Sequence, residues 1–170
     1  PIVYADRLGF SSRLRSLIAA YFSPAAATHH YLQMAKGNFR SHLQSNYVRL
    51  KKYFYVLRPL LAIRWIEQGR GPVPMPFSTL LETVQGQSAL GDAISALIEL
   101  KRSGAELDAQ PQIPVLQEFI VAELARLEAI AASQPRVVGD VEPLNQLFRE
   151  FLNRAWAVGG ARTLPPHPVE

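Results

Sequence analysis

Residues 45 to 69 read SNYVRLKKYFYVLRPLLAIRWIEQG, and the fold class turns on how this stretch is read. Tyr47, Leu50, Phe54, Leu57 and Leu61 recur at intervals of three and four, the period of one helix face, and Gly69 supplies a helix stop. The spacing predicts a helix from about Ser45 to Gln68. Pro59 falls inside it, removes one backbone hydrogen bond and crowds the carbonyl of Tyr55, which predicts a kink or a split near Arg58.

Working outward, the same period continues on both sides. Leu14, Leu17, Ile18 and Tyr21 predict a helix between Leu8 and Phe22. Ser23 and Pro24 end it and open a second helix that runs to Arg40 or His42, weakened locally by Gly37. After Gln68, GRGPVPMPFS is a turn-rich connector, and Phe77 to Val84 reads as a short helix. Leu90, Ile94, Leu97 and Ile98 predict a helix ending near Arg102, with Lys101 and Arg102 at the negative end of its dipole. Leu116, Phe119, Ile120, Leu124 and Leu127 predict another to about Ala132, and Leu144, Leu147, Phe148, Phe151 and Leu152 the last. No sustained two-residue alternation and no phosphate-binding glycine motif occurs. The expected fold is all-α, an irregular bundle of six to seven helices over residues 1–158. A basic front lobe, 1–68, a linker, 69–78, and a rear lobe, 79–158, are expected, with a flexible tail over 159–170.

Charge divides the chain at the same connector. Residues 1–70 carry eleven Lys or Arg against Asp6 and Glu67, a net +9, and the rest nets −5, giving the overall +4. A clustered positive field concentrates phosphates near a surface; the alternative is that the two halves attract each other. Cysteine is absent, which excludes disulfides, thiolate metal sites and a cysteine nucleophile. Apolar runs stop short of the roughly 18 residues of a membrane span, so a cytoplasmic protein without a membrane partner is expected. The opening PIVYADR reads like the middle of a longer chain.

Lys51, Tyr55, Arg58 and Ala62 fall at i, i+4, i+7 and i+11, so one helical stripe offers an ammonium, a phenol and a guanidinium. Such a stripe suits a phosphate and a stacked base, since arginine presents a planar fork, lysine a mobile charge and tyrosine a π-face. The spacing equally fits a solvated basic face. His29 and His30 are neighbours and point about 100° apart, unlike a metal-clasping i, i+4 pair. His42 shares a rough face with Tyr31, Ala35 and Asn38, which by itself assigns it no role. Two carboxylate pairs have a one-residue gap, Glu106 with Asp108 and Asp140 with Glu142. The first lies in a polar loop, and the second is better read as a helix cap and a first-turn acid. No catalytic or metal-binding residue is assigned.

Three segments together resemble one family: Pro1 to Tyr4 (PIVY), Tyr31 to Ala35 (YLQMA) with Asn38, and Lys51 to Ala62 (KKYFYVLRPLLA) with Trp65 and Ile66. They look like the C-terminal part of nucleotidyltransferases of the DNA polymerase β superfamily, of the RNA-repair-associated type, over about residues 1–102. The resemblance implies an upstream α/β domain whose Gly-Ser turn and paired carboxylates bind two Mg²⁺ ions, with the helical part closing the cleft over nucleotide and acceptor. This sequence contains no such Gly-Ser turn and carboxylate pair, so the catalytic half is expected upstream of Pro1. The resemblance further implies that Lys51, Lys52, Tyr55 and Arg58, with Tyr31 and Asn38, face that cleft, where the cations neutralise triphosphate or leaving pyrophosphate. The expectations that follow are Mg²⁺ and an NTP for the full-length protein and no cofactor in this chain, with the upstream domain, a nucleotide and RNA as candidate partners. The alternatives are a nucleic-acid-binding helical module without chemistry and a purely structural or interaction domain.

Overall fold

The computed structural model describes residues 6, 8–86, 88–104, 109–131 and 140–159. Seven α-helices occur among them: α1 Phe10–Tyr21, α2 Pro24–His42, α3 Lys51–Glu67, α4 Phe77–Leu80, α5 Ser88–Arg102, α6 Pro114–Ala131 and α7 Glu142–Gly159. A 3₁₀ turn spans Leu81–Val84, and two short strands, β1 Tyr47–Arg49 and β2 Ala109–Pro111, pair antiparallel. The fold is all-α with this one small ribbon. Pro1 to Tyr4, the Glu106 and Asp108 pair, Ala132 and the tail from residue 160 lie outside the described residues.

Two compact units are present. One contains α1 and α7. There Phe10 meets Phe151 edge-on at 5.1 Å, and Arg13 reaches Glu150 at 3.7 Å. Asp140 accepts the backbone N–H of Glu142 at 2.9 Å through Oδ1, the capping role its position before the helix suggests.

The other unit runs from Phe22 to Val137 and holds the main core. The proline-rich connector, the expected border between a front and a rear lobe, lies inside this unit. Leu57, Leu60 and Leu61 on one side of it and Leu90, Ile94, Leu116 and Ile120 on the other belong to a single buried cluster. Residues from both sides of the connector thus share one core.

α3 is the central element. Pro59 through Ile63 are all buried, so this stretch is packed on every side. Pro59 does not split the helix, which runs unbroken from Lys51 to Glu67. The lost hydrogen bond is offset by that burial. At its end, Gly69 takes φ +70° and its N–H bonds Ile66 O at 2.9 Å, while Arg70 N–H bonds Trp65 O at 3.3 Å. This is a Schellman closure, and glycine adopts the left-handed conformation it needs without strain.

The start of α3 differs from expectation. The helix begins at Lys51, not Ser45, and Tyr47, expected in its apolar ridge, is 64% exposed on β1. The cause is remote in sequence: Tyr47, Val48 and Arg49 pair with Pro111, Gln110 and Ala109, which satisfies backbone groups that a longer helix would have used. Val48 points inward and its neighbours outward.

Candidate functional site

The end of α2, β1 and the first half of α3 form one continuous construction. Ser23 caps α2, its Oγ accepting from Ala26 N–H at 3.2 Å, with Pro24 in the first turn. After His42 the chain turns sharply, and two glutamines hold the turn. Gln112 Nε2 donates to Leu43 O and Ser45 O, each at 2.9 Å, and Gln117 Nε2 donates to Leu43 O at 3.0 Å. Tyr53 is fully buried, and its hydroxyl accepts the backbone N–H of Ile113 at 2.9 Å. Burial raises its phenol pKa and that hydrogen bond offsets part of the rise. These contacts fix the first turn of α3 against the segment before α6, so the side chains of Lys51, Lys52 and Tyr55 project from a rigid base.

The residues singled out from the sequence meet different fates. Lys52 Nζ lies 3.4 Å from His42 Nε2 and 4.7 Å from the centre of the Tyr55 ring. Tyr55 is 47% exposed, so its ring offers a free face. Lys51 has no hydrogen bond or ion pair among the described residues. Arg58 donates from Nη2 to Pro74 O at 3.3 Å, which ties the connector to α3. Ala62, the end of the stripe, is buried, so the stripe closes after Arg58. From α2, Tyr31 packs against the core and meets His30 edge-on at 5.4 Å. Asn38 spends its amide on Met34 O at 2.9 Å, one turn back in its own helix. Lys52 and Tyr55 are brought together, with His42 added; Asn38 is turned to its own backbone.

Charge pairing separates this face from the rest of its unit. Lys36 pairs with Glu128 at 2.7 Å, Arg70 with Glu82 at 2.8 Å and Arg102 with Glu99 at 2.7 Å. Arg64 and Arg126 share Glu123, both at 2.8 Å. By contrast Arg40, Arg49, Lys51, Lys52 and Arg58 have no carboxylate partner among the described residues. Lys101, also without one, lies over the ring of Phe54 at 4.8 Å, beside the same stripe. The unneutralised cations therefore gather along the end of α2, β1 and the first half of α3.

Periodicity missed the buried ion cluster at the other end of α3. Glu123 is 4% exposed and accepts from Arg64 Nε and Nη2 at 2.8 and 3.1 Å, and from Arg126 Nε and Nη2 at 3.2 and 2.8 Å. Arg126 also forms a fork on Glu67, at 3.0 and 2.8 Å. Burial pushes the Glu123 carboxyl up, but the hydrogen bonds from the two guanidiniums outweigh it and hold the pKa below the ordinary value. The signal in the sequence was Glu123 beside Leu124 on an otherwise apolar helix face. Its partner Arg64 and the second carboxylate on Arg126, Glu67, however, each lie fifty-nine residues away from the group they meet, beyond any local pattern.

An all-α chain with a carboxylate-poor cationic and tyrosine-bearing helical face is the class these observations define. Residues 1–150 match the RNA repair pathway DNA polymerase beta family, RlaP, and the chain belongs to that family. It is 36% identical over 161 residues to the uncharacterized protein YcgL of Bacillus subtilis (strain 168), a match covering 94% of this chain and 62% of that protein. The chain thus spans less than two thirds of the length of this relative. No solved structure matches it significantly. No helix among the described residues is long and apolar enough to cross a membrane.

Proposed function

We propose that this chain is the helical, substrate-facing part of a nucleotidyltransferase, which transfers a nucleoside monophosphate from an NTP to an acceptor that RNA chemistry would supply. The observation that carries this reading is the set of cations at the end of α2, β1 and the first half of α3 that have no carboxylate partner among the described residues. Ion pairs neutralise most of the other described cations of the unit, whereas these, without a carboxylate among the described residues, suit an anion from outside. Lys51 and Lys52 supply mobile positive charge for triphosphate or departing pyrophosphate, and the exposed ring of Tyr55 supplies a stacking face for a base. Arg58 adds charge while anchoring the connector through Pro74. Tyr31 sets the packing of α2, and Asn38 contributes through the backbone of that helix rather than by a direct ligand contact. Family membership supports an RNA-repair context for this chemistry.

Among the described residues, no three His, Asp or Glu side chains come together as a metal ion would require. The donor set of the described residues does not fit Mg²⁺. The reading places the metal-binding carboxylates in a part of a longer protein that this sequence does not contain. Full-length protein, Mg²⁺ and labelled NTPs, with RNA of defined ends as acceptor, make the test. Transfer that falls roughly 10²-fold or more on Lys51→Ala, the loss seen when one charge-stabilising donor is removed, is the expected result. Transfer unchanged by Lys51→Ala and by Lys52→Ala would overturn the reading. A second reading, salt-sensitive RNA binding without chemistry, is favoured by the same cations. Its mark is RNA affinity that falls steeply with salt in the absence of any transfer.

A further inference from the structure

His42 carries no role in the function proposed above, yet its Nε2 lies 3.4 Å from Lys52 Nζ. A lysine ammonium has only protons to offer, so the 3.4 Å approach to Nε2 is a hydrogen bond when that nitrogen holds a lone pair and the ring proton sits on Nδ1. Taking up a second proton removes the lone pair. Two cations then face each other at contact distance, and an oxyanion bridging them resolves the conflict, because both nitrogens have become donors to it.

Among the described residues the surroundings show no carboxylate in contact with the pair. α3 brings Lys51, Lys52 and Tyr55, α2 brings Arg40 beside His42 itself, and β1 brings Tyr47 and Arg49. β2 carries no titratable side chain. α6, which also packs on α2, carries Glu118, Glu123, Arg126 and Glu128; Glu128 is engaged by Lys36 at 2.7 Å, and Glu123 by Arg64 and Arg126. No carboxylate among the described residues contacts His42 or Lys52.

We propose that His42 and Lys52 together form a proton-dependent site for a phosphate-type oxyanion, with Tyr55 as its aromatic wall. Neutral His42 accepts one of the three N–H groups of Lys52; protonated His42 joins the lysine as a second donor to the bound oxygens. The inference rests on the reading of this face as phosphate-facing, and names a ligand residue and a pH response which that reading lacks.

Calorimetric titration of this chain with inorganic pyrophosphate tests it. Wild type and His42→Gln are compared at about pH 5.5 and about pH 8, the two sides of the range in which imidazole changes charge. The probe's own protonation is common to both proteins and cancels in their affinity ratio. Wild type is expected to bind about tenfold tighter than the variant at the lower pH, the worth of one hydrogen bond from a charged donor, and about equally at the higher. In the wild-type chain at the lower pH, the His42 imidazole resonances are expected to move on addition of pyrophosphate, a readout that needs no variant. A ratio that is the same at both pH values, or resonances that stay still, overturns the role of His42 and leaves the phosphate-facing reading standing. No pyrophosphate binding by wild type at either pH overturns the inference as well; the transfer assay on the longer protein then decides the functional reading independently.

Discussion

Replacing Glu123 by glutamine removes one negative charge from a buried cluster while keeping its shape. Wild-type Glu123 accepts two hydrogen bonds from Arg64 and two from Arg126 at 4% exposure. Glutamine has one acceptor oxygen, and its amide would point N–H groups at guanidinium donors. Breaking a buried ion pair by removing one partner costs about 3–5 kcal/mol. Arg126 keeps its fork on Glu67 and is 41% exposed, which places the expected loss at the low end, about 3 kcal/mol. For a chain of this size that corresponds to roughly 6–12 °C in melting temperature.

The pH dependence has a fixed sign. Because Glu123 is held below its ordinary pKa, its stabilisation is fully present above the unfolded-state value of about 4.3 and is lost as pH falls through the lower folded-state value. Thermal melts followed by far-ultraviolet circular dichroism, from neutral pH down to about pH 3, make the assay. The wild type should exceed Glu123→Gln by a constant margin above about pH 5, and the margin should shrink below about pH 4. A variant melting within about 2 °C of wild type at neutral pH would refute the reasoning, since half-buried Arg64 would lose the one carboxylate it meets among the described residues.

Three further outcomes follow from single contacts. Tyr53→Phe leaves the backbone N–H of Ile113 without its acceptor and should cost about 1–2 kcal/mol in urea unfolding, with faster amide exchange at Ile113 as the local sign. Gly69→Ala forces a side chain into φ +70° at the Schellman closure, with a loss of about 1 kcal/mol expected in the same unfolding experiment. Gln112→Ala leaves the Leu43 carbonyl held by Gln117 alone and removes the glutamine donor to the Ser45 carbonyl. Exchange protection should fall in the turn and in β1, while the second half of α3 stays protected.

Helices with one apolar face and clear punctuation were legible in the sequence. Ser23-Pro24 opens α2 where expected, and Leu90, Ile94 and Leu97 of α5 are all buried as their spacing implied. Gly69 ends α3 as read. What escaped depends on partners far along the chain. Tyr47 looked like a ridge residue because it stands three before Leu50, but the pairing of β1 with residues 109–111 turns it out to solvent. A single ridge also understated α3: Tyr53, outside that ridge, is fully buried, because a central helix is packed from several directions.

The site was legible in part for the same reason. Helical spacing grouped Lys51, Tyr55 and Arg58 in one stripe, but it is Lys52, named only through the resemblance, whose Nζ lies over the Tyr55 ring. It gave no sign that His42 would meet Lys52 across the turn, or that Asn38 would be drawn to Met34 O. Nor does spacing reveal which cations find carboxylates. Arg64 and Arg58 look alike in the sequence, yet one is locked on Glu123 and the other donates to Pro74 O.

The claim on which the account depends most is that the end of α2, β1 and the first half of α3 receive the phosphates of a nucleotide. Titrating the isotope-labelled chain with ATP while following backbone amide resonances tests it most directly. The account predicts saturable shifts concentrated between Asn38 and Arg58, abolished by Lys51→Glu with the fold intact. Shifts centred on α5 or on the Arg64, Arg126 and Glu123 cluster, or shifts indifferent to Lys51→Glu, would contradict it.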